Sequence, residues 1–198
     1  MKVQPFQDTQ RIIIDPGEYY VSRHPEVIST LLGSCVSACL YDPVNRIIGM
    51  NHFLLAYRHH AAHMPVIESE EGRYGLYAME LLINEMMKQG ASRQNLKAKC
   101  FGGGNVLSLG TDKSNRQTVG EVNVEFIKEY MAKENIPMLS ACLGGDVGRY
   151  VHFVGSDFSV FVKKIDRQQQ QLLEKEERRY WKKNLDGNQK LNGRAEIW

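Results

Sequence analysis

No run of eighteen apolar residues occurs in the chain, so none of it is long enough to cross a bilayer as a helix. No signal peptide is visible either, and the expected location is cytoplasmic, without membrane insertion. Cysteine is scarce: Cys35, Cys39, Cys100 and Cys142 stand apart, without C-x-x-C spacing. That argues against a zinc ribbon and, in a reducing cytosol, against structural disulfides. Charge is nearly balanced at +2, which removes any global electrostatic reason to expect nucleic acid or an anionic membrane as partner. Gly102-Gly103-Gly104-Asn105 lacks both the P-loop lysine and the G-x-G-x-x-G spacing of a dinucleotide site. His59, His60 and His63 lack the carboxylate of an H-E-x-x-H metal motif, so no metal or cofactor is expected. What remains is an ordinary globular composition, 42% hydrophobic and 24% charged over 198 residues. That length supports one domain with a substantial core, with or without an appendage.

The densest chemistry lies between Leu31 and Ala56, where Cys35 follows a Gly-Ser pair and His52 comes seventeen residues later. Val36–Tyr41 and Ile47–Leu55 are β-compatible runs, and Asp42-Pro43-Val44-Asn45 between them has turn chemistry. The segment therefore reads as an antiparallel hairpin. A loop of Pro43-Val44, or of Asp42 to Asn45, sets Cys35 directly across from His52, in contact range for a thiol and an imidazole. A loop extended through Arg46 moves His52 to the other face, and a bulge at Gly49 also breaks the count. On spacing alone, the plainer reading is a small core cysteine and a satisfied, half-buried histidine.

Along the rest of the chain, residues 1–10 read as a loose terminus. Arg11–Ile14 and Tyr19–Ser22 read as short strands around the Asp15-Pro16-Gly17 turn. Apolar residues at 78, 79, 82, 83, 86 and 87 predict a helix over Tyr74–Gln89, closed by Gly90. Lys97–Phe101 is a strand, Val119–Asn135 a second helix, and Met138–Leu143 and Tyr150–Lys164 contribute further strands. Strands and helices mixed with a hairpin predict an α/β (α+β) layered sandwich, with a mixed or antiparallel sheet and flanking helices. The domain proper spans residues 11–165, and 166–198 form a charged helical or disordered tail. The plain reading of that tail is a solvated helix; the sharper one is a docking segment anchored by Tyr180, Trp181 and Trp198.

Leu32-Gly33-Ser34-Cys35-Val36, Tyr41-Asp42-Pro43 and Gly49-Met50-Asn51-His52 resemble the CheD family of chemoreceptor glutamine deamidases. So do Arg73-Tyr74 with Ala78-Met79-Glu80-Leu81-Leu82, and Lys99-Cys100-Phe101-Gly102-Gly103-Gly104-Asn105. Val119-Gly120-Glu121-Val122-Asn123 and Leu143-Gly144-Gly145-Asp146-Val147-Gly148-Arg149 complete the series, in the family's order, over residues 12–165. Ala56 and Val122 depart from the usual Pro and Arg. The tail carries no family feature.

The resemblance implies a Cys35 nucleophile, a His52 base, and a hydroxyl from Ser29 or Thr30 as third member. Cys35 would attack a glutamine carboxamide, ammonia would leave, and water would hydrolyse the thioester to glutamate. Oxyanion donors are expected among the N–H groups of Ser34, Cys35 and Val36, and of Gly103 and Gly104. The implied substrates are chemoreceptor cytoplasmic helices, and a CheC-like chemotaxis phosphatase is the implied partner. A non-catalytic binding module for receptors or for that phosphatase is the alternative.

Overall fold

The structure, a computed structural model, describes residues 1–55, 65–106 and 118–192, with side chains in the last helix from 168 to 180. Among these residues ten strands form two five-stranded mixed sheets. The first holds β1 (Lys2–Phe6), β2 (Thr9–Ile13), β4 (Val27–Leu32), β9 (Arg149–Val154) and β10 (Val160–Lys164), in the order β1-β2-β4-β9-β10. The second holds β3 (Tyr19–Ser22), β5 (Val36–Asp42), β6 (Ile47–Asn51), β7 (Lys97–Gly102) and β8 (Met138–Leu143), in the order β3-β6-β5-β7-β8. Pairing is antiparallel except at β2–β4 and β7–β8. The α-helices of the described residues are α1 (Glu70–Lys88), α2 (Val119–Lys133) and α3 (Arg167–Asn192).

The layers follow from strand β5, which is buried along its whole length and splits its side chains by parity. Val36, Ala38 and Leu40 pack with Met79, Leu82, Ile83 and Met86 of α1 and with Phe126, Ile127 and Tyr130 of α2. Cys39 and Tyr41, pointing the other way, pack with Ile12, Ile28, Leu32, Val151 and Phe153 of the first sheet. The result is an α/β sandwich, sheet on sheet on helices. Each fully buried Leu, Ile, Met or Phe here contributes roughly 1.5–3 kcal/mol. Gly49, considered as a bulge, instead stands in regular register opposite Leu40. A Cβ there would come within 2.9 Å of Leu82 Cδ1 and Met86 Sδ, so the glycine admits α1 close to β6. Helix starts are capped as their sequences allow: Ser69 Oγ accepts from Gly72 N, and Thr118 and Glu121 form a reciprocal capping box.

Three readings of the sequence change. Lys2–Phe6, expected as a loose terminus, forms β1, in antiparallel register with β2 from Lys2 opposite Ile13 to Phe6 opposite Thr9. Val27–Leu32, not read as a strand, is the central strand β4, paired with β2 and β9. The β5–β6 register also differs by two residues. Asp42 opposes Ile47 within the ladder, and Val36 opposes Phe53. Asp42 stays in the strand because its carboxylate caps the turn, accepting from Val44 N, Asn45 N and Asn45 Nδ2. Arg46, with φ +54°, closes that turn.

Candidate active site

The chain leaves the first sheet at Leu32 and enters the second at Val36. Gly33-Ser34-Cys35 is the crossing, and it meets the end of β6, where His52 follows Asn51. With Val36 opposed to Phe53, Cys35 and His52 are not directly across from one another. They flank that pair on the same face, a diagonal relation that places Cβ atoms roughly 7–8 Å apart in a regular ladder. Cys35 is 0% exposed and His52 2%.

The crossing is clamped from three sides. Asn123, on α2, donates from Nδ2 to Ser34 O (3.1 Å) and accepts Leu55 N–H at Oδ1 (2.9 Å). Gly103 N donates to Cys35 O and Gly104 N to Gly33 O, each at 2.7 Å. Gly102, at φ +108°, approaches so closely that a Cβ would fall 2.2 Å from Cys35 O. The N–H groups of Gly103 and Gly104, expected as oxyanion donors, therefore hold carbonyls of the Gly33–Cys35 crossing. Val36 N–H, the other expected donor, goes to Phe53 O at 3.0 Å to close the bridge.

The donors left facing outward are Gly33, Ser34 and Cys35, and all three converge on Glu177 of α3. Its Oε1 accepts from Gly33 N (3.0 Å) and Cys35 N (3.3 Å). Its Oε2 accepts from Ser34 N (2.9 Å) and Ser34 Oγ (2.6 Å). Successive N–H groups converging in this way form an anion-binding nest. Burial, and after it the charge and hydrogen bond of Glu177, pushes the Cys35 thiol well above its ordinary pKa.

His52 is oriented by a hydroxyl. Thr30 Oγ1 donates to Ile14 O (2.7 Å) and lies 2.8 Å from His52 Nδ1. With its one proton given to Ile14, the hydroxyl accepts from Nδ1–H, which leaves Nε2 carrying a lone pair. His52 Nε2 is buried and has no hydrogen-bond partner among the described residues. Burial drives the ring's pKa down to about 3, against smaller opposing effects of Glu18 and the Ile14 carbonyl. The imidazole is thus neutral, of fixed tautomer, with its acceptor nitrogen unspent. Ser29, the other hydroxyl considered, lies 2.8 Å from His152 Nδ1 and does not reach His52.

Other motifs have structural employment. Arg149 donates to the carbonyls of Cys142, Gly144 and Val147, binding the Gly144-Gly145 turn to β8. Cys39 is fully buried between the sheets. Ala56, His59, His60, His63 and Trp198 lie outside the described residues. Glu177 and Ile14 are not singled out in the sequence, and Asn123 enters there only as the last residue of the Val119–Asn123 motif. Val27–Leu32 carried a readable strand signal for Thr30, but Glu177 sits in a charged run like any solvated helix face.

The profile described as "CheD chemotactic sensory transduction" matches residues 55–164. A "Probable chemoreceptor glutamine deamidase CheD 1" of Geobacter sulfurreducens is 44% identical, covering 100% of this chain and 98% of the relative. "Probable chemoreceptor glutamine deamidase CheD 2" of Shewanella oneidensis is 44% identical over 91% of each chain. A "Probable chemoreceptor glutamine deamidase CheD" of Methylobacillus flagellatus is 46% identical over 92% of this chain and 87% of its own. With matches that run nearly end to end through the Gly33–Cys35 crossing and its clamps, the chain belongs to the CheD family.

Proposed function

We propose that the protein hydrolyses glutamine side-chain amides on the cytoplasmic helices of chemoreceptors, with Cys35 as nucleophile and His52 as base. His52 Nε2 takes the thiol proton, and the sulfur forms a bond to the carboxamide carbon. The oxygen that becomes negative is held by the N–H groups of Gly33 and Cys35, with Ser34 N–H and Oγ beside them. The C–N bond breaks as His52 returns its proton to the departing ammonia. Water, deprotonated by the same nitrogen, then cleaves the thioester and leaves glutamate. Thr30 is a positioning residue: it keeps the proton on Nδ1 and the lone pair on Nε2.

The observation that carries this reading is the buried Nε2 of His52, without a partner among the described residues, on a ring whose other nitrogen is fixed by Thr30. A histidine serving only as packing would cost free energy in that state, about 1–3 kcal/mol for an unmet buried polar atom. The names of the full-length relatives supply the substrate class.

Peptide mass spectrometry on a chemoreceptor cytoplasmic fragment tests the proposal, with wild type, Cys35→Ala and His52→Ala. Gln→Glu conversion by wild type alone is the expected result. Conversion that survives Cys35→Ala overturns the assignment of the nucleophile. No conversion by any of the three, across several receptors, favours a binding module acting on receptors or a CheC-like phosphatase.

A further inference from the structure

Helix α3 touches the sandwich along one stripe. Between residues 168 and 180, only Leu173 and Glu177 are buried, and Gln170, Glu174 and Tyr180 are half-buried. Residues 170, 173, 177 and 180 lie on one helical face. Each of them meets the region around the nucleophile. Gln170 Oε1 accepts from Gly148 N at 2.8 Å, and its Nε2 donates to Asp146 O at 3.2 Å. Leu173 Cδ2 fills the space beside Gly148, where a Cβ would come within 2.5 Å of it. Tyr180 Oη stands as close to the Cβ position of Gly17, whose N–H is bonded to His52 O at 2.8 Å. Between these two anchors Glu177, 2% exposed, inserts its carboxylate into the nest of Gly33, Ser34 and Cys35. The helix also walls a cleft of about 600 Å³ that Ile14, Thr30, His52 and Tyr150 line from the other side.

A carboxylate bonded to the oxyanion donors beside the thiol occupies the place of a glutamate side chain just formed by the reaction. Its two oxygens take four donors, which a carboxamide, with one acceptor oxygen, cannot match. Among the described residues Glu177 forms no ion pair, and its two oxygens are met by the four donors of the nest.

We propose that α3 is an intramolecular product mimic: Glu177 fills the oxyanion nest, Leu173 and Tyr180 seat the helix, and a substrate helix must displace it. The inference rests on the assignment of Cys35 as nucleophile. It also states what the groove accepts: a helix presenting a carboxyl-type side chain with an apolar residue four positions before it and an aromatic three after. Glu177→Gln turns the mimic into a substrate. Cys35 sulfur bonds to Cδ of the introduced carboxamide, ammonia leaves with the proton held by His52, and water cleaves the thioester. The net change is glutamine plus water to glutamate plus ammonia.

The test uses the full chain as wild type, Glu177→Ala, Glu177→Gln, and Glu177→Gln combined with Cys35→Ala. Iodoacetamide labelling of Cys35 is followed by peptide mapping, which separates it from Cys39, Cys100 and Cys142. If the mimic leaves the site open in about a tenth of molecules, labelling rises about tenfold when it is removed. Glu177→Gln, nearly isosteric, keeps the proposal testable should the alanine variant fail to fold, because its readout is the residue found at position 177 rather than the labelling rate. The same maps read position 177: Cys35-dependent return of glutamine to glutamate supports the proposal. Labelling of Glu177→Ala at the wild-type rate overturns it, and so does glutamine retained at position 177 where wild type deamidates receptors well. Faster labelling without deamidation of any substrate upholds the occupied nest and sinks the proposed activity instead.

Discussion

Two adjacent residues of β4 make the same hydrogen bond to two different histidines. Ser29 Oγ and Thr30 Oγ1 each lie 2.8 Å from an imidazole Nδ1, of His152 and His52 respectively. As neighbours on a strand they point to opposite faces. Ser29 stands opposite His152 across the β4–β9 ladder, so theirs is a lateral pair within one sheet. Thr30 reaches across to a histidine that follows β6 of the other sheet, next to the Gly33–Cys35 crossing. His152 is half-buried and stacked on Tyr150, its pKa lowered by burial and then by Arg11. His52 is buried at the cleft wall, with a nitrogen that nothing meets among the described residues. Bonds of equal length thus differ in consequence, because the environment of the second ring nitrogen decides whether an imidazole is held or ready to take a proton.

The sharpest break of that comparison exchanges the two histidines for glutamine in turn. His52→Gln lowers deamidation by about 10²–10⁴-fold, the usual contribution of a positioned general base. His152→Gln leaves the rate near wild type. An equal loss in both, read by the same receptor-fragment assay, would remove the distinction.

The hydroxyls sharpen it next. Thr30→Val keeps the β-branched shape and removes the hydrogen bond; kcat falls roughly tenfold to a hundredfold, in line with about 1–3 kcal/mol for an unpaired buried group. Thr30→Ser restores most of the rate, and Ser29→Ala changes it little. The pH profile separates positioning from packing: with Nδ1 released, the limb that reports His52 shifts in Thr30→Val and not in Ser29→Ala.

The smallest effect is on stability. His52 has its folded pKa near 3, below the 6.5 of an unperturbed histidine. Between those values the unfolded chain binds a proton that the folded chain refuses, so stability is complete above about pH 6.5 and declines as pH falls towards 3. Thermal melts of wild type and His52→Gln at pH 5 and pH 7 measure the term. The decrease on acidification is smaller in the variant, and parallel decreases in both would assign the acid sensitivity to other groups.

Much of the layering was legible. The spacing of Met79, Leu82, Ile83 and Met86 marks the face α1 buries, because helix periodicity depends only on near neighbours. The same locality failed at the hairpin. Asp42 fits equally as the first loop residue or the last ladder residue, and only its carboxylate bonds across the turn keep it in the strand. The strand Val27–Leu32 was readable, yet its central place required knowledge of β9, more than a hundred residues away.

By itself the sequence offered Cys35 and His52 as a candidate pair, and it marked the two helices over the second sheet and the glycines beside Cys35. It carried them in local patterns of residue type and period. Tertiary structure alone decided that Thr30 rather than Ser29 faces His52, that the N–H groups of Gly103 and Gly104 are spent on carbonyls, and that Glu177 enters the nest. Each depends on which face of a strand turns inward, or on contacts as distant in sequence as Glu177 and Ser34. Such contacts form only when the packing of the two sheets brings their elements together.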